Sequence, residues 1–231
     1  GHQGYYLGEC AYGTFRAIVG QLQGTIGYPY TEIPLEMVRW GAGGVAGFGT
    51  FCGTLNGAAA AFGLICDNTN AKSLISALMS WYAETPLPSD QSNLYAQNGE
   101  FQQMLSEVGK TIKTPIVLPQ SVARGNLCHL SVTNWCLASG YASGSSERSE
   151  RCARLAGDVS AKAVELLNEL FNTNGIPAYT VPGDKTSCRQ CHYKGKDYFA
   201  GQFTRGKMDC MLCHSELKQV NSKSHHKGKT K

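Results

Sequence analysis

Long apolar runs are absent from this sequence of 231 residues. The longest, Gly57 to Cys66, falls far short of the roughly 20 residues a helix needs to cross a bilayer, so no membrane span is expected. Charge is sparse: 16% of residues are charged and 42% hydrophobic, which excludes a disordered or fibrous chain. No initiator Met and no basic, apolar leader open the sequence, and its start at Gly1 reads as processed or trimmed. No Ser/His/Asp set and no paired carboxylates stand out as hydrolytic machinery. The stretch GAGGVAG lacks a full G-x-G-x-x-G and follows no strand, so it reads as a tight turn between packed helices and not as a dinucleotide loop.

What the chain has in plenty is cysteine: ten residues, high for a cytosolic enzyme. Its charge is uneven. Residues 185–231 hold 11 Lys+Arg against 3 Asp+Glu, a balance of +8, whereas residues 1–184 hold 10 against 14, a balance of −4. Such a split suggests two regions with different jobs. Hydrophobic periodicity divides the chain in the same way. Helices are expected over 10–23, 52–66, 71–84, 100–109, 127–137 and, most clearly, 150–171, where Leu155, Val159, Ala163, Leu166 and Leu170 share one stripe. Pro34 suits the first turn of a short helix over 34–41. Residues 85–93 and 140–149 read as loops, and 114–120 as extended at best. The expected fold class is all-α: a helical cysteine-rich domain over 1–171, a linker over 172–185, and an irregular segment over 186–231. That last segment has too few aliphatic residues to build a core, so something other than its side chains must supply one.

Two pentapeptides in the tail point to what that is. Cys188-Arg189-Gln190-Cys191-His192 and Cys210-Met211-Leu212-Cys213-His214 are both C-x-x-C-H, the attachment signature of c-type haem. The paired thiols (Cys188 with Cys191, Cys210 with Cys213) add to the haem vinyl groups, and His192 and His214 fall beneath the irons as proximal ligands. Two haems per chain would supply the missing core, with Tyr198, Phe199 and Phe203 packing on porphyrin and the lysines offsetting propionates. That use of the tail outweighs nucleic-acid binding. The same cysteines also fit C-x2-C-x18-C-x2-C, a zinc-ribbon spacing, but four thiolates on zinc would not require a histidine after each pair. For the sixth haem ligands, His2, His129, His225 and His226 remain. His2 with His225 or His226 is the expected distal set, and Met208 and Met211 lie too close to the second motif to cap that same haem. Bis-His ligation closes both irons and favours electron transfer over small-ligand chemistry.

Six cysteines are left. Cys10, Cys52, Cys128 and Cys152 each fall near the start of an expected helix, and Cys66 and Cys136 near helix ends. Helix N-termini favour thiolates, so four of them converging could hold an iron–sulfur centre. Three disulfides, or plain structural thiols, fit the spacing equally well.

The doubled C-x-x-C-H tail behind a cysteine-bearing helical region resembles the split-Soret cytochromes c. Residues from Cys10 to about Phe171 also resemble the redox-active family named for four cysteines and a C-G-A-x-x-G motif. The matching residues are Glu9-Cys10-Ala11, Gly41 to Gly49 followed by Cys52-Gly53-Thr54-Leu55-Asn56-Gly57, and then Cys128 and Cys152. Thr54 stands where that family has Ala, and Cys66 and Cys136 are additional. The resemblance implies a periplasmic electron-transfer protein of sulfate-reducing bacteria, a homodimer with closely stacked haems capped from the other subunit, and an iron–sulfur centre, expected as [2Fe–2S], on Cys10, Cys52, Cys128 and Cys152. Redox proteins are its expected partners. A haem enzyme reducing a small oxyanion at an open iron, and a zinc-ribbon binding module, are the alternatives.

Overall fold

The computed structural model describes residues 1–111, 115–173, 175, 192, 195–199, 201–202 and 204–213. Cys188, Cys191, His214, His225 and His226 lie outside the described residues. The chain forms two units, Gly1–Tyr179 and Thr180–Lys231, and the division falls inside 172–185, read above as a linker.

The first unit is all-α. Among the described residues its helices are α1 (His2–Thr25), α2 (Gly53–Ile65), α3 (Asn68–Glu84), α4 (Asp90–Gln97), α5 (Glu100–Ser106), α6 (Cys128–Ser139) and α7 (Ser146–Thr173). Among the described residues, sheet is confined to two antiparallel two-residue strands, β1 (Pro86–Leu87) and β2 (Ser121–Val122), with Pro86 opposite Val122. The core forms where α1, α2, α3 and α7 meet. Phe15, Ile18 and Val19 of α1, Leu55 and Phe62 of α2, Leu74 and Leu78 of α3, and the Leu155–Leu170 stripe of α7 are all buried there. Each such side chain contributes about 1.5–3 kcal/mol by leaving water.

Several local expectations need correction. Helix α1 begins at His2, not at residue 10, and breaks at Gly8 and Glu9 before resuming at Cys10. Glu9, at φ 65 and ψ −161, occupies a region that is strained for any residue but glycine. That break swings the preceding turns back across α7, which is why the first residues are buried. His2 is 3% exposed, its Nε2 is 3.0 Å from the Glu150 carboxylate, and its ring stacks on Phe101. The sequence offered His2 no core role; the structure gives it one. Residues 34–41 hold a 3-10 turn over Leu35–Val38 in place of a helix. Residues 85–93 are not simply a loop, because α4 starts at Asp90. Its N-cap Ser89 and its Ser92 both donate hydroxyl protons to the buried Asp158 carboxylate of α7, a partner distant in sequence. Likewise α7 begins at Ser146, within the stretch read as flexible. Helix α3 starts at Asn68, where the Asp67 side chain accepts from Thr69 and Asn70 N–H.

Candidate metal centre

Four elements deliver one cysteine each to a common site. Cys10 opens the resumed part of α1, Cys52 is the N-cap of α2, and Cys128 is the first residue of α6. Three helix N-termini therefore face the site, each favouring negative charge there. Cys152 departs from the expectation of a helix start: it lies in the second turn of α7. It compensates with arginines on its own helix, since the guanidiniums of Arg148 and Arg151 both act on its sulfur.

Close approach of α1 to α2 is enforced by glycine. A Cβ on Gly53 would lie 1.9 Å from Gly41 O and 2.6 Å from the Cys10 Cβ, so only glycine lets Cys10 reach Cys52. The loop from Gly41 to Thr50 closes over the site. Positive φ at Gly43, Gly44 and Gly47 folds it tightly. The loop also anchors α6, because Cys128 N–H donates to Thr50 O at 2.7 Å and His129 N–H to Gly49 O at 3.0 Å. The glycine stretch read as a helix-packing turn is thus the wall of the site itself.

Cys10, Cys128 and Cys152 line a cavity of about 490 Å³ together with Tyr5, Gly43, Gly47 and Arg148. Cys52 sits behind them, 5% exposed, and accepts from the Tyr82 hydroxyl at 3.3 Å. Burial, then the charges of Cys152 and Cys52, push the Cys10 thiol well above its ordinary range, and the Gly43 N–H works against that. Cys128 is pushed up to about 12 by burial and then by Cys52 and Cys152. Charge on neighbouring sulfurs thus opposes ionisation of Cys10 and Cys128. A bound cationic group would remove the obstacle.

Arg151 adds positive charge beside these sulfurs. It is 1% exposed, and among the described residues no carboxylate pairs with it. An uncompensated buried guanidinium is strongly unfavourable. Burial works against its charge, and Cys152, Tyr82 and Cys52 are the neighbours that act to keep it. Among the described residues no three His, Cys, Asp or Glu side chains close around a point that would suit one metal ion. The thiols instead surround a cavity, an arrangement that fits several irons joined by sulfide better than a lone zinc. Cys66 and Cys136 do not line it, and all six cysteines of this unit stand as free thiols.

Sequence reading found the four cysteines but missed their donors. Arg148 and Arg151 were in view, being four and one residues before Cys152 on a helix. Tyr82 and Ser131 carry no such signal. They reach the site only because α3 packs against α2 and α7, and because Ser131 of α6 hydrogen-bonds Tyr82 and Arg151.

In the second unit, the described part of the first haem motif is His192. Its Nδ1 donates to Gly201 O at 2.9 Å, which fixes the tautomer that puts the ring lone pair on Nε2. Gly201 has φ 81, and a Cβ there would lie 2.6 Å from His192 Nδ1. The Thr204 hydroxyl donates to His192 O at 2.9 Å. In the second motif, Cys210–Leu212 form a 3-10 turn with Cys213 N–H donating to Cys210 O at 3.3 Å. Three-residue spacing in such a turn sets the two sulfurs on one side, as attachment to two vinyl groups of one porphyrin requires. Between the motifs Tyr198 and Phe199 pack edge to face and are 70% and 82% exposed.

Residues 9–166 match the family described as "Putative redox-active protein (C_GCAxxG_C_C)". That label writes the motif G-C-A-x-x-G, whereas this chain has Cys52-Gly53-Thr54-Leu55-Asn56-Gly57. The chain is 33% identical over 217 residues to the split-Soret cytochrome c of Desulfovibrio desulfuricans, covering 93% of this chain and 71% of that protein. It also superposes on a solved structure reported as a novel iron centre in the split-Soret cytochrome c of that organism. The TM-score is 0.76 and the identity 30%, over 96% of this chain and 86% of that one. With this similarity over nearly its whole length, and with four cysteines gathered at one site, the chain belongs to the split-Soret cytochrome c family and carries the C_GCAxxG_C_C redox-active region.

Proposed function

We infer that this protein transfers electrons through two covalent c-type haems per chain and an iron–sulfur centre of the [2Fe–2S] type. The haems attach at Cys188 and Cys191 with proximal His192, and at Cys210 and Cys213 with proximal His214. The iron–sulfur centre is held by Cys10, Cys52, Cys128 and Cys152. The observation that carries the reading is the gathering of Cys10, Cys128 and Cys152 around one cavity, with Cys52 buried next to Cys10 and acting on the buried Arg151 together with Cys152. Bound there, the group would supply one-electron chemistry; the chain's own part is to hold it away from water and to surround it with hydrogen-bond donors. Fixation of the His192 tautomer by Gly201 supports the haem half. His225 or His226 serves as distal ligand. The working form is a homodimer, in which a second chain covers the haem surface. It resides in the periplasm, where covalent haem attachment takes place, and exchanges electrons with other redox proteins.

An absorption spectrum of oxidised and reduced protein, with non-haem iron and labile sulfide assayed on the same sample, tests this. Two c-type haems per chain with additional iron and sulfide are expected. Haem without additional iron would remove the centre from the helical unit. A colourless, zinc-containing protein would overturn the whole reading.

A further inference from the structure

Resting on that four-thiol reading, one buried side chain around the site has a single proton and two acceptors. Tyr82 is fully buried, and its hydroxyl lies 2.7 Å from Ser131 Oγ and 3.3 Å from Cys52 Sγ, with the O–H able to donate to either. A phenol carries one hydroxyl proton, so the two bonds compete. Arg151 biases the competition: its guanidinium, which can only donate, already gives Ser131 Oγ a hydrogen bond at 2.8 Å. An oxygen that accepts from a cation is a weaker acceptor for a second donor. The sulfur of Cys52, in contrast, gains negative charge whenever the centre is reduced.

We propose that Tyr82 is a redox-responsive donor to the centre. Its hydroxyl proton is shared between Ser131 Oγ and Cys52 Sγ and turns toward the sulfur when the centre takes up an electron, so that Tyr82 raises the reduction potential. No proton leaves the tyrosine oxygen. The movement is a rotation about the ring C–O bond, and the only species transferred is the electron. Thr54, whose hydroxyl lies 3.4 Å from the same sulfur, is two residues from Cys52 and cannot substitute for Tyr82, since among the described residues no competing acceptor makes its bond depend on oxidation state. Tyr82 is therefore a positioning residue acting through Cys52, and its effect is selective for the reduced form.

Dithionite titration of the purified holoprotein, followed by electron paramagnetic resonance of the centre, provides the test. Tyr82→Phe keeps the ring in the core and removes the proton. At a fixed potential its reduced-to-oxidised ratio is expected to fall about tenfold, equivalent to a midpoint ~59 mV lower for one electron. Ser131→Ala removes the competing acceptor and commits the Tyr82 proton to the sulfur, so its midpoint is expected to rise. In the Tyr82→Phe background the Ser131 change is expected to have no further effect. Opposite signs for the two single variants support the proposal, because a merely structural role would not separate them. An intact centre whose midpoint is unchanged by Tyr82→Phe, or lowered by both single variants, overturns it. A wild-type chain lacking non-haem iron and sulfide would overturn the four-thiol reading itself, and this inference with it.

Discussion

Replacing Gly53 by alanine tests whether α1 and α2 are held together as tightly as the site requires. The added Cβ would lie 1.9 Å from Gly41 O and 2.6 Å from the Cys10 Cβ, well inside the ~3.5 Å at which nonbonded carbons rest. Neither neighbour is the tip of a flexible side chain. Gly41 O is also the acceptor for the Ala11 N–H at 3.2 Å, so moving it strains a second contact. Overpacking of this kind costs about 1–3 kcal/mol, and against a backbone oxygen the upper part of that range applies. The helix gains only about 0.5–1 kcal/mol by exchanging Gly for Ala. A net loss of about 2 kcal/mol lowers Tm by roughly 4–8 °C in a domain of this size. Because the same Cβ pushes Cys10 from Cys52, non-haem iron and labile sulfide per haem are expected to fall as well. Gly63 in the same helix is the internal control: a Cβ there meets nothing within 4 Å, and Gly63→Ala is expected to raise Tm by about 1–4 °C with the centre intact. A Gly53→Ala protein with wild-type Tm and full iron and sulfide would refute the packing argument.

Three more outcomes are expected. Cys66→Ser and Cys136→Ser retain iron and sulfide because neither side chain lines the cavity, whereas Cys10→Ser and Cys152→Ser lose them; metal analysis of the four variants decides. The Asn70 backbone N–H chiefly, helped by that of Thr69, holds the Asp67 carboxyl below its ordinary value. A carboxylate depressed in the folded state stabilises above its unfolded pKa of about 4, and that contribution disappears as pH falls through the lower folded value. Tm of the wild type should therefore drop more steeply below pH ~4 than that of Asp67→Asn, in which the cap cannot titrate, and parallel curves would contradict it. Gly201→Ala places a Cβ against His192 Nδ1 and so breaks the bond that orients the ring. Partial conversion of one haem to a high-spin absorption spectrum is the expected signature, and an unaltered low-spin spectrum would count against the role assigned to Gly201.

What the sequence determined by itself was whatever depends on neighbours along the chain. The α7 stripe, the termination of α3 before Pro86, and the C-x-x-C-H pentapeptides were all legible, because helical periodicity and haem attachment are set within a few residues. The four cysteines could be singled out, yet spacing alone could not choose between a cluster and disulfides. Only the tertiary structure shows which of them come together. The glycine-enforced contact of α1 with α2, and the docking of α6 on the loop from Gly41 to Thr50, bring together cysteines up to 142 positions apart (Cys10 and Cys152) while leaving Cys66 and Cys136 aside. The burial of His2 against Glu150, the start of α4 beneath Asp158, and the donors Tyr82, Ser131 and Arg151 were invisible for the same reason. Each depends on a hydrogen-bond partner from a distant element, and a buried polar group is stable only where such a partner waits for it.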